Sequence, residues 1–350
     1  MIQVAPILLD RILIVGLGSI GKRHLRLARE LFPRADIRVL RHQTADFVPQ
    51  YANGCFASIQ EAVAFDPQMA VIASPAPFHI SSAQLLAEAG VHLLIEKPLA
   101  DSLVGIKKLI KTCQKQGAIL STGYNLRFFS SLQMFKKFVL EGVIGNILSV
   151  RCDIGQYLPA WRPDSDYRQG VSARRELGGG ALLELSHELD YLRWIFGDVD
   201  WVKATLSRQS KLEIDVEDTA HLTLGFMPKS PDHQLIATVN LDLIRHDVVR
   251  SCVAIGSDGT LRWNGLTGEV AFYANESSGW QQLFIYQEQR DESYIAEWKN
   301  FLDAISTKNI PMITGIDGLR VVEIIEAARR SQLSGGALFK LSSLEEGEGS

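Results

Sequence analysis

Three glycines near the start of the chain are spaced as Gly16-x-Gly18-x-x-Gly21, a pattern that suits contact with a phosphate group. The apolar run Ile12–Val15 precedes them, and residues 22–30 follow with helical composition and neither Gly nor Pro. In this context Gly16 permits a tight turn, Gly18 lets backbone N–H groups approach a pyrophosphate, and Gly21 lets the helix pack on the strand. The sequence therefore predicts a dinucleotide site at the N-terminus of this helix.

A second candidate group, Glu96-Lys97-Pro98, directly follows the apolar run Val91–Ile95. If that run is a strand of a parallel sheet, Lys97 lies at the carboxyl edge of the sheet, where ligands of such folds bind. The glycine loop is expected at the same edge. The alternative is a surface lysine that merely flanks a helix.

The third candidate is a predicted helix that follows Gly178-Gly179-Gly180 and carries Glu184, His187 and Asp190 at positions i, i+3 and i+6. Residues three apart are neighbours on a helix surface, so Glu184 and His187 are expected to share a face. Imidazole titrates near neutral pH and suits proton transfer. The alternative is an amphipathic helix whose polar side is only solvated.

Alternating strand and helix patterns in the first 122 residues would position the first two groups. Short apolar strands between helices indicate a doubly wound parallel sheet covered on both faces. The strands are expected at Arg11–Val15, Ile37–Arg41, Met69–Ala73, Val91–Ile95 and Ala118–Thr122, and the helices at Ile20–Leu31, Ser58–Ala64, Phe78–Ala89 and Ser102–Gln116.

From about Asn146 the pattern changes to period-two alternation, as in Ala220–Phe226 and Ala237–Leu243. Alternation in successive runs predicts a large, mainly antiparallel sheet with one face covered by helices. The candidate covering helices are Gly180–Phe196, Ser293–Ile305 and Gly315–Ser331. We therefore expect a Rossmann domain over residues 1–122, a C-terminal α/β domain over 123–341, and a frayed tail over 342–350.

Composition narrows the class of protein. The chain of 350 residues is 46% hydrophobic and 22% charged, with a formal net charge of −4, which gives no reason to expect nucleic-acid binding. No apolar run approaches the roughly 18 residues of a membrane span, and residues 1–10 lack a basic segment and cleavage site. The four scattered cysteines have no metal-like spacing, so we expect reduced thiols, a cytoplasmic location and no metal.

These motifs, in this order, resemble the Gfo/Idh/MocA family of nicotinamide-dependent oxidoreductases, most of which act on sugars, inositols or related polyols. Two further segments take part in the resemblance, Ala73–His79 and Gly123–Phe128. The resemblance implies an N-terminal Rossmann domain and a C-terminal α/β domain with an open-faced sheet, and dimers or tetramers built through that sheet. It also implies a cofactor site that includes Gly16, Gly18, Ser19, Ile20, Gly21, Arg41, Ser74, Pro75, His79, Glu96 and Lys97.

The sequence departs from the family at one position. The family helix usually carries an acidic residue four positions before its histidine, and Leu183 stands there in this chain. Glu184 comes one position later. It replaces the missing acid from the same face, or that role lies elsewhere; the sequence leaves both open.

The resemblance implies that Lys97 and His187 are the catalytic pair, with Glu184 in support. Oxidation of a secondary alcohol needs a base near the hydroxyl and a cation that stabilises the developing alkoxide. We favour His187 as the proton acceptor and Lys97 as the polarising cation. The reverse assignment stays open.

The choice of cofactor depends on the end of the second strand. An acidic residue there would accept the ribose 2′-hydroxyl of NAD, but Asp36 precedes the strand and Arg41 stands at its exit. A cation at that place favours the 2′-phosphate of NADP. The alternative is that Arg41 stacks on adenine and the enzyme uses NAD.

A long polar loop before the glycine-led helix is the candidate substrate site. It contains aromatic residues and four arginines, which suit a sugar ring with an anionic group. The alternative is a solvated loop with arginines on its surface. We expect a nucleotide-linked or acidic amino sugar. The candidate substrate residues are Lys97, Tyr124, Arg127, Trp161, Arg162, Arg168 and His187. A non-catalytic dinucleotide sensor and an NAD-dependent glycoside-cleaving enzyme remain the alternative functions.

Overall fold

Two units, each assembled from separate chain segments, make up the fold in a computed structural model that describes residues 9–41, 48–161, 163–228, 233–274 and 279–341. The first unit runs through Tyr124 and also takes up Tyr294–Val322. The second comprises Asn125–Ser293 and the chain from Glu323. The predicted tail at 342–350 lies outside the described residues.

A six-stranded, wholly parallel sheet forms the centre of the first unit, in the order β3-β2-β1-β4-β5-β6. The strand order reverses between β1 and β4, so the switch point lies beside the loop that follows β1. Buried apolar residues such as Ile12, Leu13 and Ile14 explain the continuous hydrophobic runs. The strands are β1 Arg11–Val15, β2 Asp36–Leu40, β3 Gly54–Phe56, β4 Met69–Ile72, β5 His92–Glu96 and β6 Leu120–Gly123.

Helices cover both faces of this sheet. On one face, Leu25 of the first helix packs with Trp298 and Phe301 from late in the chain. On the other face, Leu86 and Leu109 pack with Leu319. The helices are α1 Ser19–Leu31, α2 Ile59–Ala64, α3 His79–Glu88 and α4 Ile106–Gln116, and the late segment brings most of α8 (Glu292–Thr307) and the first turns of α9 (Gly315–Leu333).

A nine-stranded sheet forms the second unit, in the order β14-β13-β12-β11-β7-β10-β9-β8-β15. Every neighbouring pair is antiparallel except β7 and β10. The strands are β7 Ile147–Gly155, β8 Val199–Ser207, β9 Thr219–Phe226, β10 Ile236–Asp242, β11 Val249–Gly256, β12 Gly259–Asn264, β13 Glu269–Ala274, β14 Gln281–Ile285 and β15 Phe339–Lys340. The helices on it are α5 Ser130–Leu140, α6 Ala181–Glu184 and α7 His187–Phe196. The part of α9 from Glu323 also belongs to this unit, and its Ser331 hydroxyl accepts the backbone N–H of Ala204 in β8, so only the second half of the predicted covering helix Gly315–Ser331 lies on this sheet.

The predicted fold class is confirmed, with two corrections to the helices. The expected continuous helix Gly180–Phe196 is wrong, because the chain breaks it at Leu185 and Ser186 into α6 and α7. The expectation that Ser293–Ile305 covers the second sheet is also wrong. From Tyr294 onward that helix belongs to the first unit, and α5, which the sequence reading omitted, packs on β12 and β13.

Among the helices that the structure describes, none combines the length and the apolar character needed to cross a lipid bilayer.

Candidate active site

A cleft of about 470 Å³ opens at the carboxyl edge of the parallel sheet. The predicted cofactor residues Gly16, Arg41, Ser74 and Pro75 line it. The sequence reading missed its other lining residues, which include a second cation. These are Val15, Leu17, Lys22, Leu40, Phe78 and Ser82.

The glycine loop has the steric constraints that its motif predicts. Gly16 has a φ of +90°, and a Cβ there would lie 2.7 Å from the backbone nitrogen of Ser74. A Cβ on Gly21 would collide with the carbonyl oxygen of Gly16. At Gly18, by contrast, a Cβ would have no atom within 4 Å among the described residues, so the space above it is open to a ligand.

The start of α1 suits an anion. No acidic side chain lies in its first turn, and in the described part of the chain no side chain caps its N-terminus at Gly18. The first backbone N–H groups of a helix have no intrahelical partners and carry partial positive charge. The glycine loop and this helix end therefore fit a pyrophosphate.

Polar groups in the cleft also fit a nucleotide. The Ser74 hydroxyl oxygen is buried and, within the described ranges, makes no hydrogen bond. Lys22 and Arg41 place two cations along the same cleft. Asp36 lies at the start of β2, at the other end of the strand from the glycine loop. Its carboxylate accepts hydrogen bonds from Arg38 at 2.7 and 3.0 Å.

Glu96 and Lys97 come at the end of β5 and directly after it. Glu96 is buried, and its carboxylate accepts hydrogen bonds from His24 Nε2 at 2.8 Å and from the backbone N–H of Lys97 at 3.1 Å. Burial opposes its ionisation, but the contact with His24 and, after it, the charge and backbone N–H of Lys97 outweigh that effect and lower the pKa of Glu96. Glu96 therefore fixes the Lys97 backbone through a hydrogen bond.

His79 is buried rather than open to the cleft. Its Nε2 lies 2.6 Å from the Ser74 carbonyl oxygen and its Nδ1 lies 3.1 Å from the Pro98 carbonyl oxygen. Burial lowers the pKa of His79 despite these two acceptors. The ring thus connects the loop after β4 with the loop after β5, and direct cofactor contact stays a prediction.

In the second unit, His187 is the first residue of α7 and Glu184 the last of α6. His187 is 9% exposed, Glu184 is half-buried and Leu183 is buried in the core. Because two residues interrupt the helix, the i, i+3 spacing of Glu184 and His187 does not place them on one helical face as predicted. The short helix α6 begins against Glu217, whose backbone carbonyl and carboxylate accept the N–H groups of the first two residues of α6.

Arg127 is bound to a carboxylate inside the second unit. Its guanidinium donates to both oxygens of Asp190, with Nε at 2.8 Å and a terminal nitrogen at 2.6 Å. The two side chains are 3% and 1% exposed. The structure gives Arg127 a role in the core, and its predicted substrate contact stays untested.

The remaining predicted substrate residues differ in exposure. Tyr124 is fully buried, and Trp161 is half-buried with its ring N–H 3.3 Å from the Gln156 carbonyl. Arg168 is exposed but pairs with Asp166 at 2.8 Å and Glu213 at 3.1 Å, so an anion would compete with two carboxylates. Arg162 lies outside the described residues.

Comparison with known proteins agrees with the two-part reading. Residues 11–124 match the family described as "Oxidoreductase family, NAD-binding Rossmann fold", and residues 136–338 match "Oxidoreductase family, C-terminal alpha/beta domain". The chain is 27% identical over 338 residues to myo-inositol 2-dehydrogenase of Thermotoga maritima, covering 92% of this chain and 96% of that protein. It is 26% identical over 332 residues to the uncharacterized oxidoreductase YrbE of Bacillus subtilis, covering 91% and 93%.

Among solved structures, the fold is similar to the WlbA dehydrogenase from Bordetella pertussis in complex with NADH and UDP-GlcNAcA. The TM-score is 0.76 at 24% identity, over 94% of this chain and 98% of that one. The family resemblance read from the motifs is confirmed by these matches, which together extend over most of the sequence. The chain belongs to the Gfo/Idh/MocA oxidoreductase family and is an NAD(P)-dependent oxidoreductase with a Rossmann domain for its nicotinamide cofactor.

Proposed function

We propose that the protein transfers a hydride between a nicotinamide dinucleotide and a secondary alcohol or ketone of a sugar or sugar derivative. The observation that carries the proposal is the edge of the parallel sheet, where a glycine loop that fits a pyrophosphate follows β1 and Lys97 follows β5. Names of relatives in the same family, such as myo-inositol 2-dehydrogenase, support a polyol substrate.

The chemistry assigns each residue a task. The nicotinamide, when bound, supplies the hydride acceptor or donor, and the protein must manage the proton on the substrate oxygen. We assign His187 as the base that takes this proton and Lys97 as the cation that stabilises the developing alkoxide. Glu184 is assigned to orient one of them. The reverse assignment of Lys97 and His187 predicts the same requirement for both side chains.

The cofactor is proposed to be NADP rather than NAD. Arg41 follows β2, and Lys22 lines the same cleft, so two cations are available to a 2′-phosphate. Asp36, the acid nearest to the expected spacing, is bonded to Arg38 at the other end of β2. Residues 42–47, which follow Arg41, lie outside the described ranges.

The substrate is proposed to be a sugar with an acidic group, either nucleotide-linked or an acidic amino sugar. The support is the arginine-rich loop around Trp161 and Arg168, together with the UDP-GlcNAcA complex of the Bordetella protein, which has the same fold. The sequence predicts a substrate-binding and oligomerisation domain over residues 123–341, but Tyr294–Val322 belong to the first unit, so we propose that role for the second unit.

We also propose a homodimer or homotetramer built through the nine-stranded sheet. The helices α5, α6 and α7 pack on one face of it. Polar side chains, with His221 hydrogen-bonded to Asn240 and Asn240 to Asp153, run across three of its central strands.

The four cysteines are free thiols, which is consistent with the proposed cytoplasmic location.

A substrate screen with two loss-of-function variants tests the proposal. The purified protein is assayed with NAD⁺ and NADP⁺ against inositols, hexoses, uronic acids and nucleotide-linked acidic sugars, following nicotinamide absorbance. Lys97→Ala and His187→Ala should each keep cofactor binding and lose turnover by about 10²–10⁴-fold. Lys108→Ala and His233→Ala, which remove exposed side chains of the same types, should leave turnover unchanged.

Three results would contradict the proposal. If the two active-site variants turn over as fast as the parent, neither side chain performs the assigned proton chemistry. If substrate is consumed without any net change in nicotinamide absorbance, the enzyme uses its cofactor transiently and cleaves a bond instead. Cofactor binding with no turnover across the panel would favour a dinucleotide sensor.

A further inference from the structure

A cluster of buried polar side chains lies behind Lys97 in the first unit. His24 comes from α1, Glu96 ends β5, and Glu297 and Trp298 are neighbours on α8. All four are buried, with exposures between 0% and 6%. The nitrogen or oxygen atoms that His24, Glu96 and Glu297 could offer to a cation lie within 4.8 Å of one another.

Trp298 determines the protonation state of His24. The indole Nε1–H can only donate, and it lies 2.9 Å from His24 Nδ1, so Nδ1 must hold a lone pair. The ring proton is then on Nε2, which lies 2.8 Å from Glu96 Oε1 and donates to it. His24 is therefore a neutral imidazole, and its contact with Glu96 is a hydrogen bond between a neutral donor and a carboxylate.

The same hydrogen bond argues against a metal ion in the cluster. A metal would need the lone pair of Nε2, but that nitrogen carries the proton as long as Nδ1 accepts from Trp298. In metal sites the second ring nitrogen of a histidine usually donates to a carboxylate or carbonyl, the opposite polarity. The negative charge of two neighbouring carboxyl groups must therefore be reduced in some way other than by a bound metal ion.

Glu297 is the group whose charge is unexplained. Within the described residues, neither oxygen of its carboxyl group makes a hydrogen bond, although the side chain is 2% exposed. The charged or titratable groups around it are Glu96, His24 and Tyr294, with Arg23 stacked over the Tyr294 ring and Lys97 beyond Glu96. Burial, and secondly the negative charge of Glu96, raise the pKa of Glu297 well above its usual range.

We propose that Glu297 carries a proton at neutral pH, so that Glu96 and Glu297 together hold a single negative charge behind Lys97. A buried neutral carboxyl group without partners costs far less than a buried carboxylate. The single charge lies on Glu96, which receives the hydrogen bonds from His24 and from the Lys97 backbone. Two carboxylates this close would repel each other and displace Glu96 from Lys97.

The proposal has a consequence for stability that can be measured without any substrate. In the unfolded chain Glu297 ionises near pH 4.3, whereas in the folded protein it keeps its proton to higher pH. Between those two values the unfolded state has lost a proton that the native state keeps, so stability falls as pH rises. Each pH unit in that window should raise the unfolding constant about tenfold.

Glu297→Gln, which is uncharged at every pH, tests this. Urea unfolding of the parent and the variant is compared from pH 5.5 to 8.5, and the ratio of their unfolding constants should rise by up to about tenfold per pH unit until Glu297 ionises in the native state. Glu96→Gln removes the repelling charge and should end that rise at a lower pH. Glu141→Gln, an exposed carboxylate on another helix end, should show a constant ratio.

Two further measurements keep the outcome decisive. If Glu297→Gln does not fold, Glu297→Met replaces it, and infrared spectra of the parent should show a protonated carboxyl band that the folded variant lacks. A ratio independent of pH would overturn the proposal. So would zinc or manganese bound to the purified parent, or a melting temperature that rises with added metal in the parent but not in Glu297→Gln. None of these measurements depends on the catalytic role proposed for Lys97, so the two proposals are tested separately.

Discussion

The buried pair Arg127–Asp190 allows a prediction that separates a structural arginine from a substrate-binding one. Asp190 receives two hydrogen bonds from the guanidinium, at 2.8 and 2.6 Å, and both side chains are nearly inaccessible to water. The guanidinium also lies 5.7 Å from the centre of the Trp194 ring. Arg127→Met and Asp190→Asn would each leave one charge buried without its partner.

The magnitude follows from that burial. Breaking a buried ion pair by removing one partner costs about 3–5 kcal/mol, and replacing both partners by apolar residues is often neutral. For domains of this size each kcal/mol lowers the melting temperature by about 2–4 °C, so each single variant should melt about 6–20 °C below the parent. The double variant Arg127→Met/Asp190→Leu should recover most of that loss.

Calorimetry and urea unfolding measure the stability of each variant. Titration with NADH or NADPH tests whether the first unit is intact, and every variant should still bind the cofactor. Arg245→Met, in an exposed pair with Asp247, should leave stability nearly unchanged. If both single variants are as stable as the parent, the Arg127–Asp190 pair does not stabilise the fold. A stable Arg127→Met protein that loses only substrate affinity would show that Arg127 binds substrate.

Four other outcomes are expected. Gly18→Val should abolish cofactor binding in titrations, because its side chain would fill the space above the loop. Gly279→Val, where a Cβ also meets no described atom within 4 Å, should bind normally. Arg41→Ala should weaken NADPH binding by about 1.5–3 kcal/mol and NADH binding much less; equal losses would indicate adenine stacking. Glu184→Gln should lose much of the turnover if Glu184 replaces the family's missing acid, and near-normal rates would reduce the site to Lys97 and His187. Light scattering should give a dimer or tetramer at micromolar concentration, and a monomer would contradict the proposed assembly.

Much of the fold was predictable because burial leaves a periodic record in the sequence. Arg11–Val15 was predicted with both ends correct, since a strand buried on both faces is continuously apolar. Helix α4 was placed four residues early because its start is set by Gly105, whose φ of +80° has no counterpart in hydrophobic periodicity. The three-residue strand Gly54–Phe56 is too short to show a period.

Tertiary choices were less accessible. An amphipathic helix shows that one face is buried but not which sheet buries it, so α8 was assigned to the wrong one. Nothing in the residue types at Leu185 and Ser186 indicates a helix break. Lys22 lines the cleft and directly follows the last glycine of the motif. A cation at that position, in the first turn of the helix, is a sequence signal for anion binding.

The discontinuous first unit has a consequence for synthesis of the chain. Its sheet is complete once residue 123 has been made, but Trp298 and Phe301, which close one face, and Leu319, which packs on the other, are translated only after all of Asn125–Ser293. A nascent chain therefore carries an unfinished nucleotide-binding domain, with apolar surface around Leu25 and with His24 lacking its indole partner. Domains generally fold as units in order of synthesis, and such uncovered surface favours aggregation or chaperone capture. In this chain the first unit is begun first but cannot be finished until the segment Tyr294–Val322 has left the ribosome.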